Sequence, residues 1–248
     1  SIHRIFFCGR NKKNQSLIGF ADIDLNSPKK ILRVSKKPVL GLGSLGAFDD
    51  NGVTASCALR SRGKLMLYYI GWKPRSTTRY SLMTGLAISG NSGNSFKRYS
   101  KAPVLNLTNK EPYSILTAPF VMKLKKNKWL MWYVSCEKWV TPDLPIYNIK
   151  LAESKNGFDW FQEGKTCINL KKGERAVARP CVLFENNIFK MWYCFETKVG
   201  RYRIGYAESK NGKNWARKDH LSGISTGNKN SWDDQMIAYP YVIKYKNK

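Results

Sequence analysis

The stretch AESKNGFDW at residues 152–160 returns as AESKNGKNW at 207–215. Such a repetition inside one chain marks a structural unit used more than once. The wider segments agree. Residues 55–72 (ASCALRSRGKLMLYYIGW), 118–137 (APFVMKLKKNKWLMWYVSCE), 179–196 (RPCVLFENNIFKMWYCFE) and 239–248 (YPYVIKYKNK) align on Ser56, Pro119, Pro180 and Pro240, with spacings of 63, 61 and 60 residues. Each repeat holds four short runs rich in Val, Ile, Tyr, Phe and Trp, bounded by Asn, Gly, Lys and Pro. That is the pattern of strands joined by tight turns, because Asn and Gly tolerate positive φ. Four antiparallel strands per repeat make a propeller blade. AESKNGxxW is then the third strand, its hairpin and the start of the fourth strand, with Trp160 and Trp215 packed between blades.

The expectation is an all-β propeller in one domain, residues 1–248. Its blades span about 1–36, 53–100, 115–163 and 177–218, with a partial one at 236–248. MIAYPYVIKY (236–245) reads as one more first strand. Closure as a ring of four, and a piece of a five-bladed ring, both fit this count. The opening SIHRIFFCGR already reads as a strand and no initiator Met precedes it, so the N-terminus is expected to be a cut end.

Composition narrows the function classes. No apolar run approaches the ~20 residues of a membrane-spanning helix. The 43 Lys and Arg against 17 Asp and Glu give a net charge of +26, which favours anionic partners in general. The lysines are scattered through turns rather than gathered on one patch, so nucleic acid is not the expected partner. The six cysteines (8, 57, 136, 167, 181 and 194) show no CxxC, and His occurs only at 3 and 220. No metal site or cofactor is therefore expected, and the cysteines are expected to be free and mostly buried. A reducing compartment, the cytoplasm, follows.

The acids carry the most information. In a blade the loop entering the first strand opens on one face, where sites on this fold converge. Asp49 and Asp50 precede Ser56 by seven and six residues, Glu111 precedes Pro119 by eight, Glu174 precedes Pro180 by six, and Asp233 and Asp234 precede Pro240 by seven and six. Six of 17 acids thus hold one loop position. Cleaving a glycosidic bond needs two carboxylates, one acid and one base or nucleophile. Asp49, Asp50, Glu111 and Glu174 are the candidates. Arg175 and Arg179 can hold an anionic group of a substrate. Tyr113, Trp139, Trp232 and Tyr239 offer faces for sugar stacking, and Asp233 and Asp234 further polar contacts.

The stretches GSLGAFDDNGV, LMLYYIGW, GLAISGNSGNSFKRYSKAPVL, WLMWYVS, ARPCVLFENNIFKMWY and RIGYAESKNGKNW make the chain resemble the five-bladed propeller superfamily of glycoside hydrolases and phosphorylases, families 43, 32, 68 and 130. It looks most like bacterial members of unassigned activity. The resemblance implies an oligo- or polysaccharide partner, neutral or anionic, and a glycoside hydrolase-like activity or a silent glycan-binding role in polysaccharide synthesis or modification. SGNSGNSF (89–96) is also similar to the structural Asp-box hairpin of sialidases. Three departures bear on chemistry. Blade two carries Ala55-Ser56 where the sucrose-acting members carry Arg-Asp-Pro, Arg179-Pro180 lacks the intervening Asp, and Thr117-Ala118-Pro119 stands at the Glu-Gly-Pro position.

Overall fold

The computed structural model describes residues 1–197 and 200–246. Among these, structure is strand and turn, with one 3-10 turn at Asp219–Leu221. No helix of the described residues is long and apolar enough to cross a membrane, which says nothing about spanning by strands. The chain forms two compact units.

The first unit holds residues 1–106 together with those from Tyr245. Strands β1 (Ile2–Arg10), β2 (Ser16–Asp24) and β3 (Ser27–Val34) form an antiparallel sheet in that order. Strands β4 (Val53–Ser61), β5 (Lys64–Pro74), β6 (Tyr80–Ser89) and β7 (Lys97–Arg98) form a four-stranded antiparallel blade. Ile18, Phe20, Val39, Val53, Leu67, Tyr69 and Ala87 make the unit's core.

The second unit, Leu107–Lys244, holds two more blades. One is β8 (Ile115–Lys125), β9 (Lys128–Thr141), β10 (Leu144–Ser154) and β11 (Phe161–Ile168). The next is β12 (Glu174–Glu185), β13 (Ile188–Thr197), β14 (Tyr202–Ser209) and β15 (Ala216–Arg217). Leu130, Trp132, Ile149 and Leu151 of the first blade and Val177, Val182, Met191 and Tyr193 of the second share one core cluster. Burial of such side chains, at about 1.5–3 kcal/mol each, holds the blades face to face.

The repeated nonapeptide has two jobs. Its Ser-Lys-Asn-Gly turn is built from side chains. Ser154 Oγ accepts from the Gly157 N–H and Asn156 Oδ1 from the Phe158 N–H, while Ser209 and Asn211 do the same for Gly212 and Lys213. Gly157 and Gly212 sit at φ +81° and +72°, so the turn requires glycine. The same turn also joins blades. Trp132 of the preceding blade donates its Nε1–H to the Gly212 carbonyl at 2.8 Å, and a Cβ at Gly212 would meet Trp132 at 3.1 Å. Trp215 packs edge-on against Trp132 at 5.9 Å.

Each first strand carries a register shift: between Ala55 and Cys57, Thr117 and Phe120, and Ala178 and Cys181. Such bulges re-aim side chains. In the second unit Ala118 and Arg179 take φ +48° and +54° at these bulges, each directly before a proline, and Tyr239 (φ +61°) repeats the device before Pro240. A left-handed residue before proline is disfavoured on both counts, so the surrounding pairing must hold it. MIAYPYVIKY differs from the sequence expectation: it forms no strand. The bulge that β8 and β12 carry within a ladder recurs here at Tyr239-Pro240, but among the described residues no neighbouring strand pairs with the segment. Single bonds tether the segment instead, from Ile237 N–H to the Tyr202 carbonyl and from Val242 N–H to Cys181 Sγ.

All six cysteines are free; Cys8 is exposed and the other five are buried. Burial pushes the thiol of Cys167 up to about 12 and those of Cys136, Cys181 and Cys194 up to about 11. Thiol titration of native protein at pH 8 should label Cys8 quickly and the remaining five only after denaturation. Rapid labelling of several thiols in the native state would contradict this packing.

Candidate functional site

Asp49 and Asp50 lie in the first unit, the other candidates in the second. The loop acids share one arrangement, repeated blade by blade. In the first unit Asp49 is buried and its Oδ2 accepts from the Tyr69 hydroxyl (2.8 Å) and Arg98 Nε (2.7 Å). Tyr69 stands on the second strand and Arg98 on the fourth. Phe48 stacks on Tyr69 at 6.1 Å. Asp50 accepts from the Gly46 N–H at 2.8 Å and pairs with Lys73 at 3.1 Å.

In the second unit Glu111 is fully buried. The Tyr133 hydroxyl donates to it at 2.8 Å, Gln162 Nε2 at 3.2 Å, and Lys150 Nζ lies 3.9 Å away. In the next blade Arg217 grips Glu174 with two bonds, 2.7 and 2.8 Å, and also reaches Asp219 at 2.9 Å. Asp219 takes the Tyr193 hydroxyl, and Lys171 Nζ at 2.7 Å. Asp49 and Glu111 each bond a second-strand tyrosine and a group on the fourth strand directly; Glu174 bonds the fourth-strand Arg217, and Tyr193 joins through Asp219. Arg98, Gln162 and Arg217 each stand two residues after the aromatic that opens the fourth strand, Phe96, Trp160 and Trp215.

The electrostatics fit a holding role. Burial first, and then the neighbouring carboxylate, lift the phenols of Tyr69, Tyr133 and Tyr193 far above their ordinary range, so they remain hydrogen-bond donors. Burial works against the charge of Arg217, yet its acid partners raise its affinity for the proton. Burial likewise opposes the charge of Asp219, but bonds from Lys171, Tyr193 and Arg217 hold it below the usual carboxylate range.

One blade solves the charge problem differently. Tyr69 and Tyr193 each stand opposite a glycine, Gly85 and Gly205, where a Cβ would lie 2.2 and 2.5 Å from the ring. Tyr133 stands opposite Lys150. Where the fourth strand carries Gln162 in place of arginine, the cation comes from the third strand.

The remaining candidates are placed as follows. Arg175 bonds Glu196 at 2.5 Å, and its buried Nε has no hydrogen-bond partner among the described residues. The Arg179 guanidinium lies 5.2 Å from the Tyr239 ring, which meets Tyr202 at 6.0 Å. The bulge side chains of consecutive repeats thus converge, and Tyr239 is 59% exposed. Tyr113 is partly exposed in the loop before β8, and Trp139 is half-buried near the end of β9. Residues 227–234 (GNKNSWDD) reproduce the loop at 43–50 (GSLGAFDD): Asp234 accepts from the Asn230 N–H at 2.8 Å, as Asp50 does from Gly46. Asp233 bonds Ser231, and Trp232 is 95% exposed. Sequence reasoning missed the clasp partners and Glu196. The fixed offset after Phe96, Trp160 and Trp215 was the available signal. Among the described residues no group of three or more His, Cys, Asp or Glu is placed to hold a metal ion.

The Glu111 clasp gives a test. Lys150→Met should lower the stability of the folded chain by about 3–5 kcal/mol, because it leaves a buried carboxylate without its cation. Adding Gln162→Arg, which restores the charge where Arg98 and Arg217 carry it, should recover more than half. Calorimetric melting measures both; a neutral Lys150→Met would remove the argument.

No family model matches the chain. It is 34% identical over 248 residues, 99% of this chain and 81% of the relative, to Uncharacterized protein MT1551 of Mycobacterium tuberculosis (strain CDC 1551 / Oshkosh), and equally to Uncharacterized protein Rv1502 of strain ATCC 25618 / H37Rv. Among solved structures it is similar to a glycoside hydrolase (TM-score 0.74, 16% identity, 98% of this chain and 76% of that one). A thermostable family-43 glycoside hydrolase is similar too (TM-score 0.63, 13% identity, 91% and 75%). The chain belongs to the family of these two mycobacterial proteins, and its fold is the β-propeller of the five-bladed glycoside hydrolases.

Proposed function

We propose that the chain recognises an oligo- or polysaccharide as a binding propeller, with the loop carboxylates holding its blades rather than cleaving a glycosidic bond. The observation that carries this reading is the bidentate Glu174–Arg217 pair, with side chains only 8% and 10% exposed, together with the fully buried Glu111. Glycoside cleavage needs one carboxyl that exchanges a proton with the leaving oxygen and another that reaches the anomeric carbon or its water. Carboxylates engaged inside their own blades are poorly suited to either task.

Recognition is assigned to the bulge face of the second unit. Arg179 over Tyr239, with Tyr202 beside it, combines a planar cation with aromatic surface. Such a pair suits a sugar carrying a carboxylate, phosphate or sulfate. The net charge of +26 works in the same direction. A second reading, a glycosidase using Asp49, Asp50, Glu111 and Glu174 as acid and base, draws on the fold, since the similar solved structures are glycoside hydrolases.

A glycan array rich in uronate- and phosphate-bearing saccharides, paired with a reducing-end assay on every bound glycan, separates the two. The wild type should bind at least one anionic glycan without releasing reducing ends. Arg179→Ala should weaken that binding at least about tenfold, the loss of one charge-assisted contact. Alanine is tolerable there, because Ala118 takes the same backbone conformation one blade earlier. Sustained reducing-end release that disappears in folded Glu174→Gln or Glu111→Gln protein would establish the enzyme instead.

A further inference from the structure

The fourth strand of one blade departs from the repeat. β7 and β15 are two residues long, whereas β11 runs for eight. Along β11 burial alternates: Phe161, Glu163 and Lys165 are exposed, and Gln162, Gly164 and Thr166 are half-buried. Gln162 faces inward to the Glu111 clasp, so its neighbours face outward, as side chains alternate along a strand. A bulge lies in the same stretch. Between the pairs Lys150–Thr166 and Ala152–Gln162, the three residues Glu163, Gly164 and Lys165 stand against Leu151 alone. Gly164 takes φ +72° there, and a Cβ on it would meet the Lys110 side chain at 3.1 Å. The bulge therefore needs glycine, and it re-aims the residues on either side.

The outward face of β11 opens onto space. A cavity of about 560 Å³, within the ~300–1,000 Å³ range of ligand sites, lies against Asn109, Lys110, Phe161, Glu163 and Lys165. A smaller cavity of about 190 Å³ shares Phe161, Glu163 and Lys165 and is completed by Leu151, Glu153 and Lys213. Glu153 and Lys213 pair with each other at 2.5 Å. The side chains of Asn109, Lys110, Glu163 and Lys165 make no hydrogen bond or ion pair among the described residues. The Phe161 ring is 65% exposed. In the other blades the clasp residue is flanked by Lys97 and Tyr99, or by Ala216 and Lys218; here it is flanked by a phenyl ring and a free carboxylate.

These groups define the guest. Phe161 offers a flat apolar face, Glu163 accepts hydrogen bonds, and the two lysines only donate them. A small anion would meet Glu163, and a small cation would meet Lys110 and Lys165. A pyranose ring has an apolar C–H face and a rim of hydroxyls that both donate and accept, so it matches all of them without a charge of its own.

We propose that the outward face of β11 is a subsite for a neutral pyranose residue of a glycan. The ring stacks on Phe161, one hydroxyl donates to Glu163, and others accept from Lys110 and Lys165. This rests on the reading of the chain as a glycan binder and adds a contact built from residues other than Arg179 and Tyr239.

The test is titration of the whole chain with the methyl pyranosides of D-glucose, D-mannose, D-galactose and D-xylose, and with D-glucuronate, read by saturation-transfer NMR and calorimetry. At least one neutral pyranoside should bind. Phe161→Ala should weaken it at least about tenfold through the lost ring face. Glu163→Gln should weaken it at least about fivefold through the lost charge-assisted bond. Both side chains are exposed, so each variant should melt within about 2 °C of the wild type. Wild-type affinity in either variant overturns the proposal. If glucuronate binds through Arg179 and no neutral pyranoside binds, this subsite alone falls. If no saccharide binds, the glycan-binding reading falls with it.

Discussion

The constraint on which the rest depends is the clasp between a loop acid and its own blade. A loop entering a first strand has no ladder to fix it. Glu174, the first residue of β12, fixes the end of that loop by taking two bonds from Arg217, which stands at the other end of the blade's sequence. The first and fourth strands are thereby tied across 43 residues of chain, and Tyr193 is held between them through Asp219. The same tie recurs with Asp49, Tyr69 and Arg98, and with Glu111, Tyr133 and Gln162. Paired charges at such depth stabilise only while every partner is present. The glycines opposite Tyr69 and Tyr193 are a consequence, because a ring that reaches the acid lies against the third strand.

The repeat was plain in the sequence because its signals are local. Ser-x-Asn-Gly turns lie within a few residues of each other, and so do the alternating aromatic runs. The acid position was also visible, since Asp49, Glu111, Glu174 and Asp233 lie six to eight residues before an aligned Ser or Pro. What those acids bond to was not. Tyr69 and Arg98 lie 20 and 49 residues from Asp49, and only strand register brings them together. Lys150 is the sharper case. As a sequence letter it is one lysine among many. Against the register it takes the place that glycine holds in two other blades, and it replaces an arginine that the fourth strand lacks. The segment 236–245 has strand composition and forms none: the bulge that β8 and β12 carry within a ladder recurs at Tyr239, but no ladder to a neighbouring strand forms among the described residues.

This division of labour shapes the functional reading. Positions where the blades agree serve the fold: the Asn-Gly turns and the acid clasps. Positions where they differ are candidates for recognition. The bulge residues run Ala118, Arg179, Tyr239, with one backbone shape and three chemistries. A scaffold that keeps the hydrolase fold while its loop acids are engaged internally is consistent with a protein that reads carbohydrate without cutting it.

The most direct measurement of the clasp is a double-mutant cycle on Glu174→Gln and Arg217→Met, read by calorimetric melting. Each single substitution should destabilise, and the pair should couple by about 0.5–3 kcal/mol, the range for residues in one charged network. Additive effects, or a Glu174→Gln protein that melts higher than the wild type, would mean that the loop acids are held against their mutual repulsion for chemistry and not for the fold.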